Sequence, residues 1–263
     1  MESGYMRSHA NILIYLLSVF VAVSLLFCTA AEAYIYDDFN SNEIDSTKWD
    51  TSVTSGLFSQ YGGKLHFNAT NAAGSIVSKS TFGAGFFRME FYDFSSTNLE
   101  PPGSHNGAFA ALGLGPENNF VRIIRDQNGV GNTPVGVFEV NYIENGQIQV
   151  HYVNTGVTQG QLGLYYDGTQ VTFYYNSTLD PDSGWQSTGW KTPGQPGEWV
   201  GEWTPNWASD PRLFVRGYDL AGTTSFSVDN VEYTPVPEPA TMLLLGSGLL
   251  GLAGYGRNKF FKK

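Results

Sequence analysis

Between residues 34 and 234 the chain alternates short apolar runs with turn-forming residues. The runs are rich in aromatic and β-branched side chains, and Gly, Asn, Asp and Pro separate them, which is typical of β-strands. No helical periodicity is evident in this part of the chain. The clearest predicted strands are Lys64–Ala69, Gly85–Phe91, Ala108–Leu114, Phe120–Arg125, Val135–Tyr142, Gln147–Val153, Gln161–Tyr166, Gln170–Tyr175, Arg212–Tyr218 and Thr224–Tyr233. The pattern therefore predicts an all-β domain.

Two of the gaps between these runs carry a residue pair that favours a tight hairpin. Asn145-Gly146 and Asp167-Gly168 are Asx-Gly pairs, which adopt type I′ turns between antiparallel strands. In residues 171–175 and 212–216 apolar side chains tend to alternate with polar ones, so one face of each strand is expected to be exposed to solvent. No repeat of fixed period occurs, which disfavours a propeller or a solenoid. Many short antiparallel strands predict a two-sheet sandwich or jelly roll.

Residues 1–33 have the composition of a secretory signal peptide. Arg7 precedes an apolar stretch over residues 12–27, and Ala31-Glu32-Ala33 supplies an Ala-x-Ala cleavage site. A permanent N-terminal anchor is the alternative, and Met6 is an alternative start to Met1 because Arg7 follows it directly. The chain has one cysteine, which lies within this segment, so the exported part must be stabilised by its own core rather than by disulfides.

Residues 235–263 have the parts of a sorting signal. The sequence Pro237-Glu238-Pro239 predicts an extended, accessible backbone, because each proline restricts its own φ and disfavours helix before it. An apolar run over residues 242–255 follows, short for a membrane-spanning helix, and four cations after it place that end in the cytoplasm. An ordinary single-pass anchor is the alternative.

This order of Pro-Glu-Pro motif, Leu/Gly-rich run and basic end resembles the PEP-CTERM signals of Gram-negative bacteria that make exopolysaccharide. The resemblance implies that a membrane-embedded exosortase recognises Pro237, Glu238 and Pro239 and cuts near them. The C-terminal transmembrane helix would hold the protein in the membrane before processing. The rest of the chain would then be released to the cell envelope, the cell surface or the extracellular matrix.

The segment between the two ends resembles the concanavalin A-like lectin/glucanase domains. The matching motifs are, in order, Asp37-Asp38-Phe39 with Ile44-Asp45 and Lys48-Trp49, then Gly62-Gly63-Lys64-Leu65, then Gly85–Phe91, and finally Phe226–Glu232. The resemblance implies a two-sheet jelly roll over residues 34–234 whose first and last strands are adjacent. An N-terminal signal helix and a C-terminal transmembrane sorting helix would flank this jelly roll.

The same resemblance implies a structural calcium ion where the first and last strands meet. The Asp229 carboxylate and backbone carbonyls near Asp37 and Gly62 would hold it, since a hard cation prefers oxygen ligands. The alternative is that Asp229 only accepts hydrogen bonds from nearby backbone.

Residues 34–234 include 9 basic and 21 acidic residues, a net charge of −12. This balance argues against a nucleic-acid partner, because such binding depends on neutralising phosphates. It suits a soluble exported protein that binds calcium or neutral glycans.

Glucanases with this fold use a Glu-x-Asp-x-(x)-Glu strand, and the chain lacks that pattern. The nearest carboxylate candidates are Glu198 with Glu202, and Glu139 with Glu144. Four residues of strand separate Glu198 from Glu202 by about 13 Å, whereas retaining hydrolysis needs about 5–5.5 Å, so a bulge would be required. Solvated edge carboxylates are the alternative. No serine-nucleophile or zinc-protease motif occurs.

Five of the six tryptophans fall between Trp185 and Trp207, among glycines and prolines. Flat indole rings on a loop or a sheet face stack on sugar rings, so the candidate ligand-binding residues are Trp185, Trp190, Trp203 and Trp207. The alternative is that these rings cover an edge of the sandwich and anchor a loop.

These patterns leave three functional hypotheses open. The first is a non-catalytic, exosortase-sorted surface or matrix protein whose jelly roll binds polysaccharide. The second is a glycoside hydrolase or lyase of the laminarinase-like type with a divergent active site, and the third is a structural envelope component without a ligand. An open groove with an exposed Trp favours the first, and a carboxylate pair about 5–9 Å apart in the groove favours the second.

Overall fold

A computed structural model describes residues 33–52, 56–97, 108–116, 119–130, 133–144, 147–187, 207 and 209–236. The segment Ala33–Pro235 forms one compact unit. The predicted signal helix and the predicted C-terminal membrane helix lie outside the described residues. Within the described ranges, none of the regular structure is a helix long and apolar enough to cross a membrane.

The regular structure in these ranges is β-strand throughout. The strands are β1 (Tyr34–Asp37), β2 (Trp49–Asp50), β3 (Phe58–Tyr61), β4 (Lys64–Thr81), β5 (Gly85–Ser96), β6 (Ala108–Leu114), β7 (Val121–Val130), β8 (Thr133–Glu144), β9 (Gln147–Asn154), β10 (Gly160–Tyr166), β11 (Val171–Asn176), β12 (Trp185–Ser187) and β13 (Arg212–Pro235). The all-β prediction is confirmed for this part of the chain.

The strands form one continuous antiparallel sheet that curls into two layers. The order along the sheet is β12-β11-β10-β5-β13-β6-β7-β8-β9, with β1 and β4 also pairing with β13, and β2 and β3 with β4. We call β6, β7, β8 and β9 with the adjoining parts of β4 and β13 the first layer. The second layer contains β5, β10, β11 and β12 with the remaining parts of β4 and β13. Strand β10 contacts β6 and β7 across the interior.

Strands β4 and β13 belong to both layers. The first half of β13 pairs with β6 and its second half with β5, while β4 accompanies it along both halves. Both strands bend between the layers: β13 shifts register between Asp219 and Thr223, and Asn71 of β4 has a φ of 51°. At this bend the buried Asp219 carboxylate accepts hydrogen bonds from the Ala221 amide (2.9 Å) and the Thr224 hydroxyl (2.6 Å). The carboxylate thus replaces ladder hydrogen bonds that the bulge interrupts.

The core lies between the two layers and is largely aromatic. Leu112 of β6 and Leu162 of β10 are fully buried members of it, one from each layer. The ring of Phe138 in β8 lies 6.2 Å from that of Phe91 in β5 and 4.7 Å from that of Tyr175 in β11, between centroids. These rings join the layers by burying apolar surface that each sheet alone would leave in water.

A hairpin forms at Asp167-Gly168 as predicted, but without the predicted type I′ turn. Strands β10 and β11 pair antiparallel with Tyr166 opposite Val171, so residues 167–170 connect them, and of the Asx-Gly pair only Gly168 has a positive φ (98°). Strands β8 and β9 also pair antiparallel, with Glu144 opposite Gln147. That register agrees with the other predicted hairpin, whose two turn residues lie outside the described ranges.

The two long strands, β4 and β13, extend beyond the strands predicted from the sequence. The predicted strands Arg212–Tyr218 and Thr224–Tyr233 are two halves of β13, and the predicted strand Lys64–Ala69 is the beginning of β4. From the sequence alone, the Gly-containing segment between the halves of β13 suggests a turn. In the structure it forms a bulge, because β4 remains paired with β13 on both sides of it.

We expect Asp219→Ala to destabilise the protein, because it leaves the Ala221 amide without its acceptor and leaves the Thr224 hydroxyl with only Ser96 as a partner. Each buried polar group that loses its partner costs about 1–3 kcal/mol, and 1 kcal/mol lowers Tm by about 2–4 °C in a domain of this size. Thermal unfolding followed by circular dichroism measures the change. Asp182→Ala, at an exposed position, is the matched control. Equal Tm values for the two variants would contradict the bracing role of Asp219.

Candidate functional site

A cleft opens on the face of the first layer that points away from the core. Side chains at alternate positions of a strand share one face. In β13 Leu213 and Val215 enter the core, so Arg212, Phe214 and Arg216 lie on the opposite face and line the cleft. The cleft has a volume of about 880 Å³, which lies in the range of small-ligand sites.

Trp207 forms one wall of the cleft. The side chain is half-buried, and its Nε1 donates a hydrogen bond to the Asn119 carbonyl at 2.7 Å. Its ring contacts the Tyr166 ring edge-on, with centroids 5.3 Å apart. These two contacts orient the indole while leaving part of it open to the cleft, as stacking on a ligand ring requires.

Phe120 and Phe214 add two further aromatic rings to the cleft. The Phe214 ring lies over Gly113 of β6, so closely that a Cβ atom at residue 113 would clash with it. Phe120 packs edge-on against Phe214, with centroids 6.2 Å apart. Glycine at position 113 therefore allows the aromatic ring to lie against the β6 backbone.

Three arginines also line the cleft: Arg122, Arg212 and Arg216. The Nε of Arg122 donates to Asn141 Oδ1 at 2.8 Å, and its guanidinium lies 4.4 Å from the Phe109 centroid and 4.8 Å from that of Phe120. Burial lowers the pKa of Arg122, as does the positive charge of Arg216, to about 10. Arg122 is still protonated at neutral pH, so two positive charges face this cleft close together.

Two buried carboxyl groups lie beside Arg122 on the same face. Asp126 lies in β7 and Glu139 in the neighbouring strand β8. Glu139 is opposite Ile124, two residues before Asp126, so the two buried carboxyl groups are diagonal neighbours on one face. Glu139 accepts a hydrogen bond from Asn141 Nδ2 at 2.6 Å. Burial raises the pKa of Asp126 well above its ordinary value, and the negative charge of Glu139 raises it further. Asp126 Oδ1 has no hydrogen-bond partner among the described residues, so this group favours its protonated form.

Neither carboxyl group lines the cleft. A small apolar cluster occupies this part of the face, and its members are Phe109, Ala111, Ile124 and the partly buried Tyr218. The Phe109 and Tyr218 rings stack with centroids 4.8 Å apart. One part of the outer face is therefore filled, and the part around Trp207 is open.

Sequence reasoning missed Asp126 and paired Glu139 with Glu144. The available signal was the alternation within β7, where the charged residues Arg122 and Asp126 share one face with Ile124 in a predicted strand. Charged residues inside such a run indicate a functional face, because a buried charge needs a compensating partner.

Of the predicted ligand-binding tryptophans, the structure describes Trp185 and Trp207, and these two lie in different parts of the domain. Trp207 lies in the cleft, whereas Trp185 is in β12 at an edge of the second layer. There its ring packs on Phe86 at 5.3 Å and its Nε1 donates to the Pro181 carbonyl at 2.9 Å. Trp185 thus covers an edge of the sandwich. Trp190 and Trp203 lie outside the described residues.

The predicted calcium residues lie in three places: Asp37 at the end of β1, Gly62 in the turn between β3 and β4, and Asp229 in β13. The Asp37 carboxylate accepts hydrogen bonds from the Phe39 amide (2.9 Å) and from Trp49 Nε1 (2.6 Å), so its own oxygens are already engaged. Gly62, between β3 and β4, has a φ of 60°. Asp229 Oδ1 accepts from the Asn230 amide at 2.8 Å.

The negatively charged groups around Asp229 would suit a bound cation. Burial is the main cause of the raised pKa of Asp229, and the negative charges of Glu90 and Asp38 also raise it. The positive charge of Lys64 acts in the opposite direction. Within the described ranges, no three His, Cys, Asp or Glu side chains are grouped closely enough to hold a metal ion. Calcium at this position stays a prediction that requires backbone oxygens as additional ligands.

The remaining predicted residues lie outside the described ranges. They are the carboxylate candidates Glu198 and Glu202 and the sorting motif Pro237, Glu238 and Pro239.

Comparison with known proteins identifies one family motif. Residues 235–258 match the PEP-CTERM protein-sorting motif. This confirms the predicted sorting signal and implies export with processing by an exosortase. No curated protein is detectably similar to this chain in sequence.

Solved structures resemble the β-sandwich at low sequence identity. The GH43 protein BlXynB from Bacillus licheniformis matches with a TM-score of 0.51 at 12% identity, over 76% of this chain and 39% of the other. The apo Crh5 transglycosylase matches with a TM-score of 0.50 at 15% identity, over 79% and 86%. A functionally unknown protein from Saccharomyces cerevisiae matches with a TM-score of 0.51 at 10% identity, over 74% and 100%. At these identities the similarity shows the fold alone.

We expect Asp126→Asn to stabilise the protein increasingly as pH rises. The raised pKa of Asp126 means that the folded state binds this proton more tightly than the unfolded chain does. Its contribution is therefore fully present below the unfolded pKa of about 3.9, and is lost as pH rises through the folded value. Thermal unfolding of the variant and the parent between pH 5 and pH 8 measures the difference. Asp182→Asn is the exposed control, and a Tm difference for Asp126→Asn that does not grow with pH would contradict the assignment.

Proposed function

We propose that this protein is an exosortase-sorted component of the bacterial cell surface or extracellular matrix, and that its β-sandwich binds polysaccharide without cleaving it. The sorting part of the proposal rests on the motif at residues 235–258. The binding part rests on the cleft beside Trp207. A sugar ring has an apolar C–H face and a polar rim, so its binding site combines an aromatic surface with polar side chains.

The single observation that carries the binding proposal is the combination of residues in this cleft. Trp207, Phe120 and Phe214 supply aromatic surface, and Arg122, Arg212, Asn119 and Asp50 supply donors and acceptors around it. A structural component without a ligand has no need for a cleft of about 880 Å³ lined in this way. Apolar side chains fill the part of the same face around Phe109, in contrast to the open part around Trp207.

A glycoside hydrolase or lyase is a second candidate, and one observation favours it. Burial raises the pKa of Asp126, and the Glu139 carboxyl lies diagonal to it on the neighbouring strand, so this pair resembles a general acid beside a second carboxyl group. However, each side chain is only 2% exposed and neither lines the cleft. A catalytic carboxyl must come within hydrogen-bond distance of the bond that it helps to break. Binding without cleavage is therefore the better-supported function.

We expect purified Ala33–Pro235 to bind a polysaccharide on a glycan array and to release no reducing ends from it. Trp207→Ala should weaken that binding about tenfold or more, because a stacked indole contributes about 1.4 kcal/mol or more. Trp185→Ala, at the sandwich edge, is the matched control and should bind like the parent. Isothermal titration calorimetry measures both.

If no glycan on the array bound, this result would contradict the binding proposal. Equal losses of affinity in Trp207→Ala and Trp185→Ala would also contradict it. Release of reducing ends by the parent, abolished in Glu139→Gln, would instead establish the hydrolase.

We expect replacement of Pro237, Glu238 and Pro239 by alanine to block processing of the full chain in its host. The exosortase would no longer find its extended recognition backbone, so the unprocessed protein should remain in the membrane fraction. Immunoblotting of fractions and intact-mass measurement give the outcome, with Thr241→Ala as the control. Processing of the triple variant at the parental rate would contradict sorting through this motif.

A further inference from the structure

An ion pair lies at the rim of the cleft. Asp50 of β2 and Arg212 of β13 both line the cleft, and Asp50 Oδ2 is 3.8 Å from an Nη atom of Arg212. The Arg212 side chain is 40% exposed and that of Asp50 is 41% exposed. Because an exposed ion pair contributes about 1 kcal/mol or less to stability, the fold does not depend on this one. Both charged groups are open to a ligand in the cleft.

Each of the two charged groups is held by a separate hydrogen bond. Arg212 Nε donates to the Ser78 carbonyl of β4, so the guanidinium leans over β4 toward β2. Asp50 Oδ1 accepts from the Ser52 amide at 3.0 Å. Hydrogen bonds from Ser52, and to a smaller extent the positive charge of Arg212, lower the pKa of Asp50. Asp50 is therefore ionised at neutral pH.

The facing atoms of the pair are too far apart for a direct hydrogen bond at 3.8 Å. The neighbouring aromatic ring does not occupy the gap between them, because Phe214 lies over Gly113 of β6, on the side of β13 opposite to β4. On the side of β4, Val77 lies opposite Asp50 and lines the cleft. An acceptor and a donor thus face each other across a gap above a small side chain.

Trp207 lies on the other side of β13 from this pair. Gly115, which follows β6, donates its amide to the Arg212 carbonyl at 3.0 Å, and a Cβ atom at residue 115 would be 2.9 Å from Trp207 Nε1. Strands β6, β13, β4 and β2 are successive neighbours, so the backbones of Gly115 and Asp50 are about 14 Å apart. An oligosaccharide chain can therefore place one sugar ring on Trp207 and a neighbouring ring at the ion pair.

Two hydroxyl groups on adjacent carbons of a sugar ring match an acceptor that faces a donor. Asp50 Oδ2 can accept from one hydroxyl group, while an Nη atom of Arg212 donates to the oxygen of the other. A hydroxyl group serves in either role, and hydrogen bonds to ionised groups are stronger than those between neutral groups. The charges of Asp50 and Arg212 compensate each other, so the pair offers both partners to a neutral ligand.

We infer that the cleft selects neutral oligosaccharides with free hydroxyl groups on adjacent ring carbons, and that Asp50 and Arg212 bind those two hydroxyl groups while a neighbouring ring stacks on Trp207. This inference rests on the proposed binding function and adds the class of ligand to it. It implies a preference between linkages. A 1,4-linked hexopyranose chain leaves the hydroxyl groups on carbons 2 and 3 free, whereas the inner rings of a 1,3-linked chain have no adjacent free pair.

The test compares neutral hexasaccharides that differ in linkage. Glucose, mannose and galactose hexamers are each used in a 1,4-linked and a 1,3-linked form, with both terminal rings O-methylated so that only inner rings offer hydroxyl groups. Isothermal titration calorimetry with purified Ala33–Pro235 measures the affinities. We expect at least one 1,4-linked hexamer to bind about 10- to 100-fold more tightly than its 1,3-linked counterpart, the range that a hydrogen bond to a charged group contributes.

Four variants assign this preference to the ion pair. Asp50→Ala and Arg212→Gln should each remove most of it, whereas Arg212→Lys should retain part because one charged donor remains. Asp182→Ala removes an exposed carboxylate outside the cleft and should keep the preference. Each variant should bind the 1,3-linked hexamers like the parent, because stacking on Trp207 is unchanged, and this separates recognition from loss of folding. If Arg212→Gln unfolds, Asp50→Ala at its exposed position still decides the outcome.

The outcomes also separate this inference from the proposed function. Equal affinity for the two linkages, with binding that depends on Trp207, would overturn the inference and leave the function standing. Binding only to other glycans on the array would do the same. A preference that survives in both Asp50→Ala and Arg212→Gln, or that is lost equally in Asp182→Ala, would overturn the assignment to the ion pair. If no glycan binds here or on the array, inference and function are both wrong.

Discussion

The structure depends on the pairing of β4 with β13, the two strands that run through both layers. Each strand spends one half in each layer, so the angle between the layers is set where both strands bend. The buried Asp219 carboxylate braces that bend by accepting from the Ala221 amide and the Thr224 hydroxyl. Neither layer can shift without breaking this ladder. The outer face of the first layer is thereby a rigid surface, which a preorganised binding site requires.

The outer face of the first layer combines features that each lower the stability of the folded state. Arg122 and Arg216 carry like charges close together, and Asp126 and Glu139 are carboxyl groups removed from water. The hydrogen bonds from Asn141 to Glu139 and from Arg122 to Asn141 compensate part of this cost, and protonation of Asp126 removes another part. A sequence selected for stability alone would place apolar or solvated residues here.

Local patterns in the sequence predicted the strands and the C-terminal sorting motif, because these depend on neighbouring residues, and the signal peptide over residues 1–33 stays a prediction. Asp167-Gly168 forms its predicted hairpin, and the motif at residues 235–258 matches as expected. The continuity of β13 could not be predicted, since only the pairing of β4 beside it turns the segment after Asp219 into a bulge.

The cleft was largely beyond prediction for the same reason. It joins side chains from β4, β7 and β13, which are far apart in sequence, and only the register of β6 brings Arg122 and Arg216 to the same side. The cluster of tryptophans did point to Trp207. It pointed equally to Trp185, whose ring packs on Phe86 at the edge of the other layer. Net charge averages over the whole surface, so the acidic composition did not indicate that three arginines line this cleft.

A crystal structure of Ala33–Pro235 with a bound oligosaccharide tests the account most directly. We predict that the oligosaccharide lies in the cleft, with one sugar ring stacked on the Trp207 indole. An oligosaccharide bound elsewhere, for example at Trp185, or one that leaves the cleft empty, would contradict it.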